Sequence, residues 1–284
     1  MIRIGNTYVG GDKPCFVVAE AGLAHMGDVD KAKALVDAAK GAGADAVKFQ
    51  IYNTVELIDR VRAPEEFDRF KQREMPYSEY DKVKAYADRT GSLCFTTGHT
   101  LSAVEHLIKM NTRLYKIGSG ERDRRVFDKI ANTNKPVFIS TGMREHADVL
   151  SLVMKYGNKN TAFLHCVSMY PTIDHKAGLG FIRTLARWCD ITGSVCGYSD
   201  HMAGIDGVQL AVALGAKVIE KHIKLTDFNG RDNVVSLNPK EFGGMVKAIR
   251  RVEAMIGGDT REYSGEEKET EGWALKGKDG KRPL

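Results

Sequence analysis

The strongest constraint on this chain is a repeat of pattern, not of residues. Short apolar runs, each stopping at a side chain able to do chemistry and each followed by a helix-like segment, recur about every 25 to 30 residues. The runs fall near 14–20, 45–50, 93–97, 113–118, 136–140, 161–165, 194–198 and 217–222. Several are apolar throughout, as strands covered on both faces must be. Eight such units predict an α/β fold, a (β/α)₈ TIM barrel. The runs end at Glu20, Lys48 to Gln50, Thr96-Thr97, Lys116 to Glu121, Ser140-Thr141, His165-Cys166, Ser199 to His201 and Glu220 to His222. In a barrel of parallel strands these ends share one mouth, where active sites lie. A barrel kept only for structure has no use for so many polar groups at one rim, so the chain reads as an enzyme.

At 284 residues the chain fits one barrel of roughly 250 residues plus a short extension. The barrel is expected over 1–256, followed by a charged, mobile tail over 257–284 that holds Trp273 and forms no second domain. Residues around Gly5-Asn6 suggest a hairpin plugging the barrel floor. The polar stretch between Ile51 and Met75 is expected as a loop over the mouth. A helix is expected after Asn238 as N-cap, with Pro239 at its first position, Glu241 completing a capping box and Phe242, Met245, Ile249 and Val252 on one stripe. The formal net charge of +5 is spread among mixed acids and bases, which argues against nucleic acid and suits anionic small molecules. Five cysteines without a CxxC pair or regular spacing point to a reducing compartment. Residues 1–11 lack the regions of a signal peptide, and no apolar run is long enough to cross a bilayer, so a cytoplasmic protein without a membrane partner is expected.

Three lysines, Lys48, Lys116 and Lys221, stand at strand ends, and two or more around one mouth would make a pocket for phosphate or carboxylate. A single strand-end lysine could equally snorkel to water. Ser119-Gly120 and Ser140 with Gly142 offer hydroxyls and backbone N–H groups to an oxyanion without bulk, although Ser-Gly turns are ordinary loop chemistry. His201 and His222 end consecutive strands, with Asp200 and Glu220 nearby; they read either as ligands of a catalytic divalent ion or as hydrogen-bonded rim histidines. His165, between Leu164 and Cys166, reads as a satisfied core histidine. Glu20 is a partly desolvated carboxylate able to bind hydroxyls or move protons, or else a partner for Lys48. Glu121 and Asp232 could hold a sugar's hydroxyls.

The stretches Ala19-Glu-Ala-Gly22, Asp45 to Gln50, Lys116 to Glu121, Ser140-Thr-Gly-Met143, Leu164-His-Cys166 with Tyr170-Pro-Thr172, Gly197 to His201 and Ile219 to His222 resemble, in order, the motifs of the sialic acid synthase (NeuB-like) family. The resemblance implies a transferase that condenses phosphoenolpyruvate (PEP) with an N-acylated amino sugar or related aldose, giving an ulosonic acid and phosphate. It implies that Lys48, Thr97, Lys116, Ser119, Ser140 and Ser199 hold PEP, and that Glu20, Gln50, Glu121, Tyr170 and Asp232 meet the sugar. His201 and His222 would bind Mn²⁺ or Mg²⁺, a Lewis acid toward the aldehyde. Glu20 and Glu220 are the candidates for placing water or moving protons. Family members commonly form homodimers, partly through a C-terminal domain expected to be missing here, so a homodimer is possible and the oligomeric state is open.

This sequence departs from the family pattern. Ala24-His25 replaces Asn-His, Thr96-Thr-Gly-His99 replaces Ser-Thr-Pro-Phe, Ser168 replaces an asparagine, and the loop between Ile51 and Glu79 is short. The family's antifreeze-like domain, which would follow a linker like Ser264-Gly-Glu-Glu267, is expected to be missing. A different or smaller acceptor, or a sugar site completed by the tail, is therefore expected. Two other classes compete: a Schiff-base aldolase using Lys116 or Lys221, and a non-catalytic barrel that binds an acidic metabolite.

Overall fold

The computed structural model describes residues 1–258, 260–261 and 263–282. It divides into two compact units, Met1–Glu253 and Ala254–Leu284. In the first, a hairpin of β1 (Ile2–Ile4) and β2 (Thr7–Val9) precedes the barrel strands β3 (Phe16–Gly22), β4 (Ala46–Ile51), β5 (Leu93–Gly98), β6 (Tyr115–Ile117), β7 (Val137–Ser140), β8 (Thr161–Cys166), β9 (Val195–Asp200) and β10 (Val218–His222). These eight strands pair in parallel and in chain order, and β10 closes on β3 to complete the barrel.

Two cores follow from the pleat, which sends alternate side chains to opposite faces of each strand. Outward residues such as Val17, Val47, Phe49, Phe163 and Ile219 pack against the helices. Inward residues at the N-terminal ends, including Phe16, Val18, Phe95, Phe138 and Leu164, form a separate cluster with Ile2, Ile4 and Val9 of the hairpin. The hairpin therefore seals the floor, as expected, and leaves the opposite end open.

Asn238 and Glu241 cap the helix Pro239–Ile256 reciprocally: each side chain accepts from the other's backbone N–H, at 3.0 and 2.9 Å. The stretch between Ile51 and Met75 is not a plain loop. It forms the short helices Thr54–Leu57 and Pro64–Lys71. The second has its signals in sequence, with proline at its start, Glu65 and Glu66 in the first turn and Arg69 and Lys71 in the last. The expected mobile tail likewise contains a helix, Gly265–Ala274, with a capping box between Ser264 and Glu267. All five cysteines are free and buried, and no described helix is long and apolar enough to cross a membrane.

Candidate active site

The C-terminal strand ends open into a cavity of about 630 Å³. Which side chains enter it follows the two-residue period. From β4, Lys48 and Gln50 line it while Phe49 packs outward; from β10, Glu220 and His222 line it while Lys221 does not. Glu20 of β3, Thr97 of β5, Lys116 of β6, Ser140 of β7, Cys166 of β8 and Ser199 of β9 complete the ring. Ser119, Ser168, Tyr170, His201 and Asp232 join it from the loops just beyond.

The base of the cavity is a buried alternation of charges. Lys48 Nζ lies 2.5 Å from Glu20 Oε2 and 3.7 Å from Glu220 Oε2, and it donates to Thr97 Oγ1 at 3.2 Å. Lys116 Nζ lies 3.8 Å from Glu220 Oε1 and donates to Ser140 Oγ at 2.7 Å. Glu220 Oε1 also accepts from the Ser199 hydroxyl at 2.9 Å. One carboxylate thus stands between two ammonium groups, all nearly without solvent. The two acids are driven apart. Burial raises the Glu220 carboxyl, but Lys116, Lys48 and the Ser199 hydroxyl outweigh it and bring the carboxyl down to about 2. At Glu20 burial prevails over Lys48, with Glu220 adding to it, and the carboxyl is raised. Burial and then the neighbouring Lys48 lower Lys116 despite Glu220. Such divergence between paired titratable groups is the pattern of acid–base sites.

Hydroxyls converge beside the lysines. Gly142 N–H donates to Ser119 Oγ at 3.1 Å. A Cβ on Gly142 would stand 2.7 Å from both Ser119 Oγ and Ser168 Oγ. The missing side chain is what lets both hydroxyls approach that backbone turn.

His201 and His222 face each other with ring centroids 5.4 Å apart, and Tyr170 stacks on His201 at 4.1 Å. His201 Nδ1 lies 2.8 Å from the Val167 carbonyl, which can only accept, so Nδ1 carries a hydrogen and, in the neutral ring, Nε2 keeps its lone pair. His222 Nδ1 lies 4.0 Å from Asp232 Oδ2. Burial lowers His222 to about 4, with Asp232 opposing. The described residues contain no ready-made group of three or more metal-binding side chains. Two imidazoles still suit an ion whose other positions go to water and substrate. The buried Oε2 atom of Glu220, which accepts no hydrogen bond among the described residues, is available for that water.

Four residues differ from expectation. Glu121 does not line the cavity: its Oε1 accepts from the backbone N–H groups of Arg122 and Asp123 at 2.8 and 2.7 Å, closing the turn after β6. Lys221 points away from the mouth, its Nζ 2.6 Å from Asp200 Oδ2, with both side chains completely buried. Asp200 is engaged there as well, accepting at Oδ1 from the Tyr198 hydroxyl and the Met202 N–H. His99, noted in sequence only as a departure from the family pattern and given no role, lines the cavity with Nε2 3.3 Å from Gln50 Oε1, and Gln50 Nε2 donates to Glu20 Oε1 at 2.7 Å. The signal for it was position, two residues beyond Thr97 and immediately after the end of β5. His165 is the satisfied core histidine expected, stacked on Tyr198 with Nε2 2.9 Å from the Ala177 carbonyl.

A model of the NeuB family matches residues 35–261. The chain belongs to the NeuB family. A Methanocaldococcus jannaschii relative is 41% identical over 261 residues, spanning 90% of this chain and 76% of that protein. The N-acetylneuraminate-9-phosphate synthase of Mus musculus is 32% identical over 271 residues, spanning 90% and 75%. Among solved structures, the N-acetylneuraminic acid synthetase of Leptospira borgpetersenii, crystallised with citrate, superposes with a TM-score of 0.84 at 31% identity, covering 95% of this chain and 94% of that one. This NeuB-family chain is accordingly an enzyme of the synthase type, and its barrel is the one those synthases use.

Proposed function

We propose that the enzyme condenses PEP with an aldose, releasing phosphate and leaving a 2-keto-3-deoxy ulosonic acid. The carrying observation is that Lys48 and Lys116 flank Glu220 in the same cavity that holds His201 and His222. Two buried ammonium groups with the Ser119, Ser140 and Ser168 hydroxyls suit an enol phosphate carrying a carboxylate. His201 and His222 would hold Mn²⁺ or Mg²⁺, which when bound supplies Lewis-acid polarisation of the acceptor's carbonyl oxygen.

The residues then divide the work. Lys48 and Lys116 neutralise the anionic end of PEP, with Thr97 and Ser199 fixing their surroundings. The PEP methylene carbon bonds to the aldehyde carbon, whose oxygen takes a proton, and positive charge develops at the carbon bearing phosphate. Glu220, held anionic, faces that charge. Water adds to this carbon and gives up a proton. The carbon–oxygen bond to phosphate then breaks, so the ester oxygen leaves with phosphate. Glu20, whose carboxyl is raised by burial, is the group suited to exchanging these protons. Gln50, held between Glu20 and His99, and Tyr170 and Asp232 face the acceptor.

Phosphate release from PEP tests the reading, run with Mn²⁺ or Mg²⁺ and a panel of aldoses, with product masses read by mass spectrometry. The expected product has the mass of its acceptor plus pyruvic acid, chelation abolishes it, and Mn²⁺ titrated calorimetrically binds wild type but neither His201→Ala nor His222→Ala. A Schiff-base aldolase is the second reading, favoured by the lowered ammonium of Lys116. Borohydride trapping of substrate on Lys116 would establish it and overturn the PEP mechanism. Absence of phosphate release with every aldose would leave a metabolite-binding barrel.

A further inference from the structure

The turns that carry Ser119 and Gly142 are joined by two arginines that the chemistry above does not use. Arg122, in the turn after β6, reaches across to the turn after β7, where its Nη2 donates to the Met143 carbonyl at 2.7 Å. Its Nη1 donates at home, to the Ser119 carbonyl at 2.6 Å and the Glu121 carbonyl at 3.0 Å. Arg144 makes the return crossing, and its Nη2 donates to the same Glu121 carbonyl at 2.7 Å. The carbonyls that Arg122 spans belong to Ser119 itself and to the residue after Gly142, whose N–H donates to Ser119 Oγ at 3.1 Å. Neither arginine lines the cavity.

The acceptors are all backbone carbonyls, so these bonds fix the course of the chain and not another side chain's rotamer. The clasp also keeps two like charges together. Burial, and then the charge of Arg122, lower the Arg144 guanidinium, whose carbon lies 5.9 Å from the Phe127 ring centroid. Met143 stands in the left-handed region at φ 57°, which a non-glycine residue keeps only where its surroundings enforce it. Its side chain is 65% exposed, so packing does little of the enforcing. The bond from Arg122 to its carbonyl is the restraint at hand.

Resting on the PEP-condensing reading, we infer that Arg122 is a positioning residue for PEP, with Arg144 as its counterpart. The crossed guanidiniums hold the two turns in register, so that Ser119 Oγ and the Gly142 turn meet the substrate's anionic end already ordered. Without Arg122, Met143 relaxes, the turns part, and PEP must order both of them on binding. A lysine at 122 keeps the charge but not the planar fork, whose two nitrogens reach carbonyls on two turns at once.

The test titrates PEP calorimetrically into the wild type, Arg122→Ala, Arg122→Lys, Ser119→Ala and the double variant of Arg122→Ala with Ser119→Ala. Hydrogen–deuterium exchange of peptides spanning 118–122 and 141–145, read by mass spectrometry, reports on the turns themselves. The Arg122 side chain is exposed, so its replacement should leave the melting temperature nearly unchanged. Arg122→Ala should exchange faster in both peptides and bind PEP about tenfold more weakly, with the loss in KM for PEP and kcat within about twofold. Arg122→Lys should follow it. Because Arg122 acts through Ser119, Ser119→Ala should weaken PEP binding less in the Arg122→Ala background than in the wild type, by about threefold or more. Wild-type affinity in Arg122→Lys would mean that charge alone matters. Additive losses in the double variant would place the effect of Arg122 elsewhere, and unchanged exchange would mean that the turns hold without it. Any of these, or faster exchange with PEP affinity intact, would overturn the inference and leave the synthase reading standing. A wild type that binds no PEP would refute that reading and the positioning role with it, while faster exchange in Arg122→Ala would still register the clasp.

Discussion

Replacing Lys221 by methionine separates stability from chemistry at a residue flanked by two cavity side chains. Lys221 and Asp200 form an ion pair with no exposure at either side chain, their charged atoms 2.6 Å apart. Removing the ammonium leaves the Asp200 carboxylate buried with only the Tyr198 hydroxyl and the Met202 N–H as donors. Breaking a buried pair in this way costs roughly 3–5 kcal/mol. Because those two hydrogen bonds survive, we expect about 3 kcal/mol, and a melting temperature lower by roughly 6–12 °C at about 2–4 °C per kcal/mol for a domain near this size. Adding Asp200→Asn removes the stranded charge, so the double variant should be more stable than Lys221→Met alone by about 1 kcal/mol or more. Urea unfolding followed by circular dichroism measures both differences, and phosphate release at a temperature where each variant is folded measures turnover. Lys221→Met should retain turnover, since its side chain lies outside the cavity. A stability within about 1 kcal/mol of wild type would refute the energetic argument. A folded variant with no turnover would refute the assignment of Lys221 to the framework.

Two more expectations concern the base of the cavity. Gly142→Ala puts a methyl 2.7 Å from the Ser119 and Ser168 hydroxyls; displacing both should raise KM for PEP about tenfold, at a cost of ~1–3 kcal/mol in stability, and unchanged steady-state kinetics would remove those hydroxyls from PEP binding. Glu220, depressed to about 2 chiefly by Lys116 and Lys48 against its burial, adds stability that is fully present above about pH 4.5 and lost as pH falls through about 2. Linkage makes that contribution roughly 3 kcal/mol at neutral pH. Urea unfolding of Glu220→Gln should therefore show its largest deficit near pH 7 and a shrinking one toward pH 2, and a deficit independent of pH would contradict the ion-pair origin.

Much of this architecture is local and so can be read along the chain. Periodic apolar runs, the capping pair Asn238 and Glu241, and the floor hairpin each depend on neighbours a few residues away. The helices at Pro64–Lys71 and Gly265–Ala274 had equally local signals in Pro64 and in Ser264 with Glu267, but their charged composition hid them. The clustering of chemistry at strand ends was legible because parallel strands in a closed barrel carry all their C-terminal ends to one rim.

What the sequence determined by itself was the barrel, its polarity and the set of residues near its mouth. The tertiary structure alone decided which of them turn inward. Glu220, Lys221 and His222 are consecutive and all polar, yet the pleat sends the first and third into the cavity and the second into an ion pair with Asp200. That parity depends on how β10 registers against β9, some twenty residues earlier in the chain, and against β3, some two hundred residues earlier. Arg69 and Arg231, which line the cavity mouth from segments distant in sequence, meet at Glu66 only after the barrel has closed. Direction and convergence are long-range properties, set by ring closure and not by any short window of the chain.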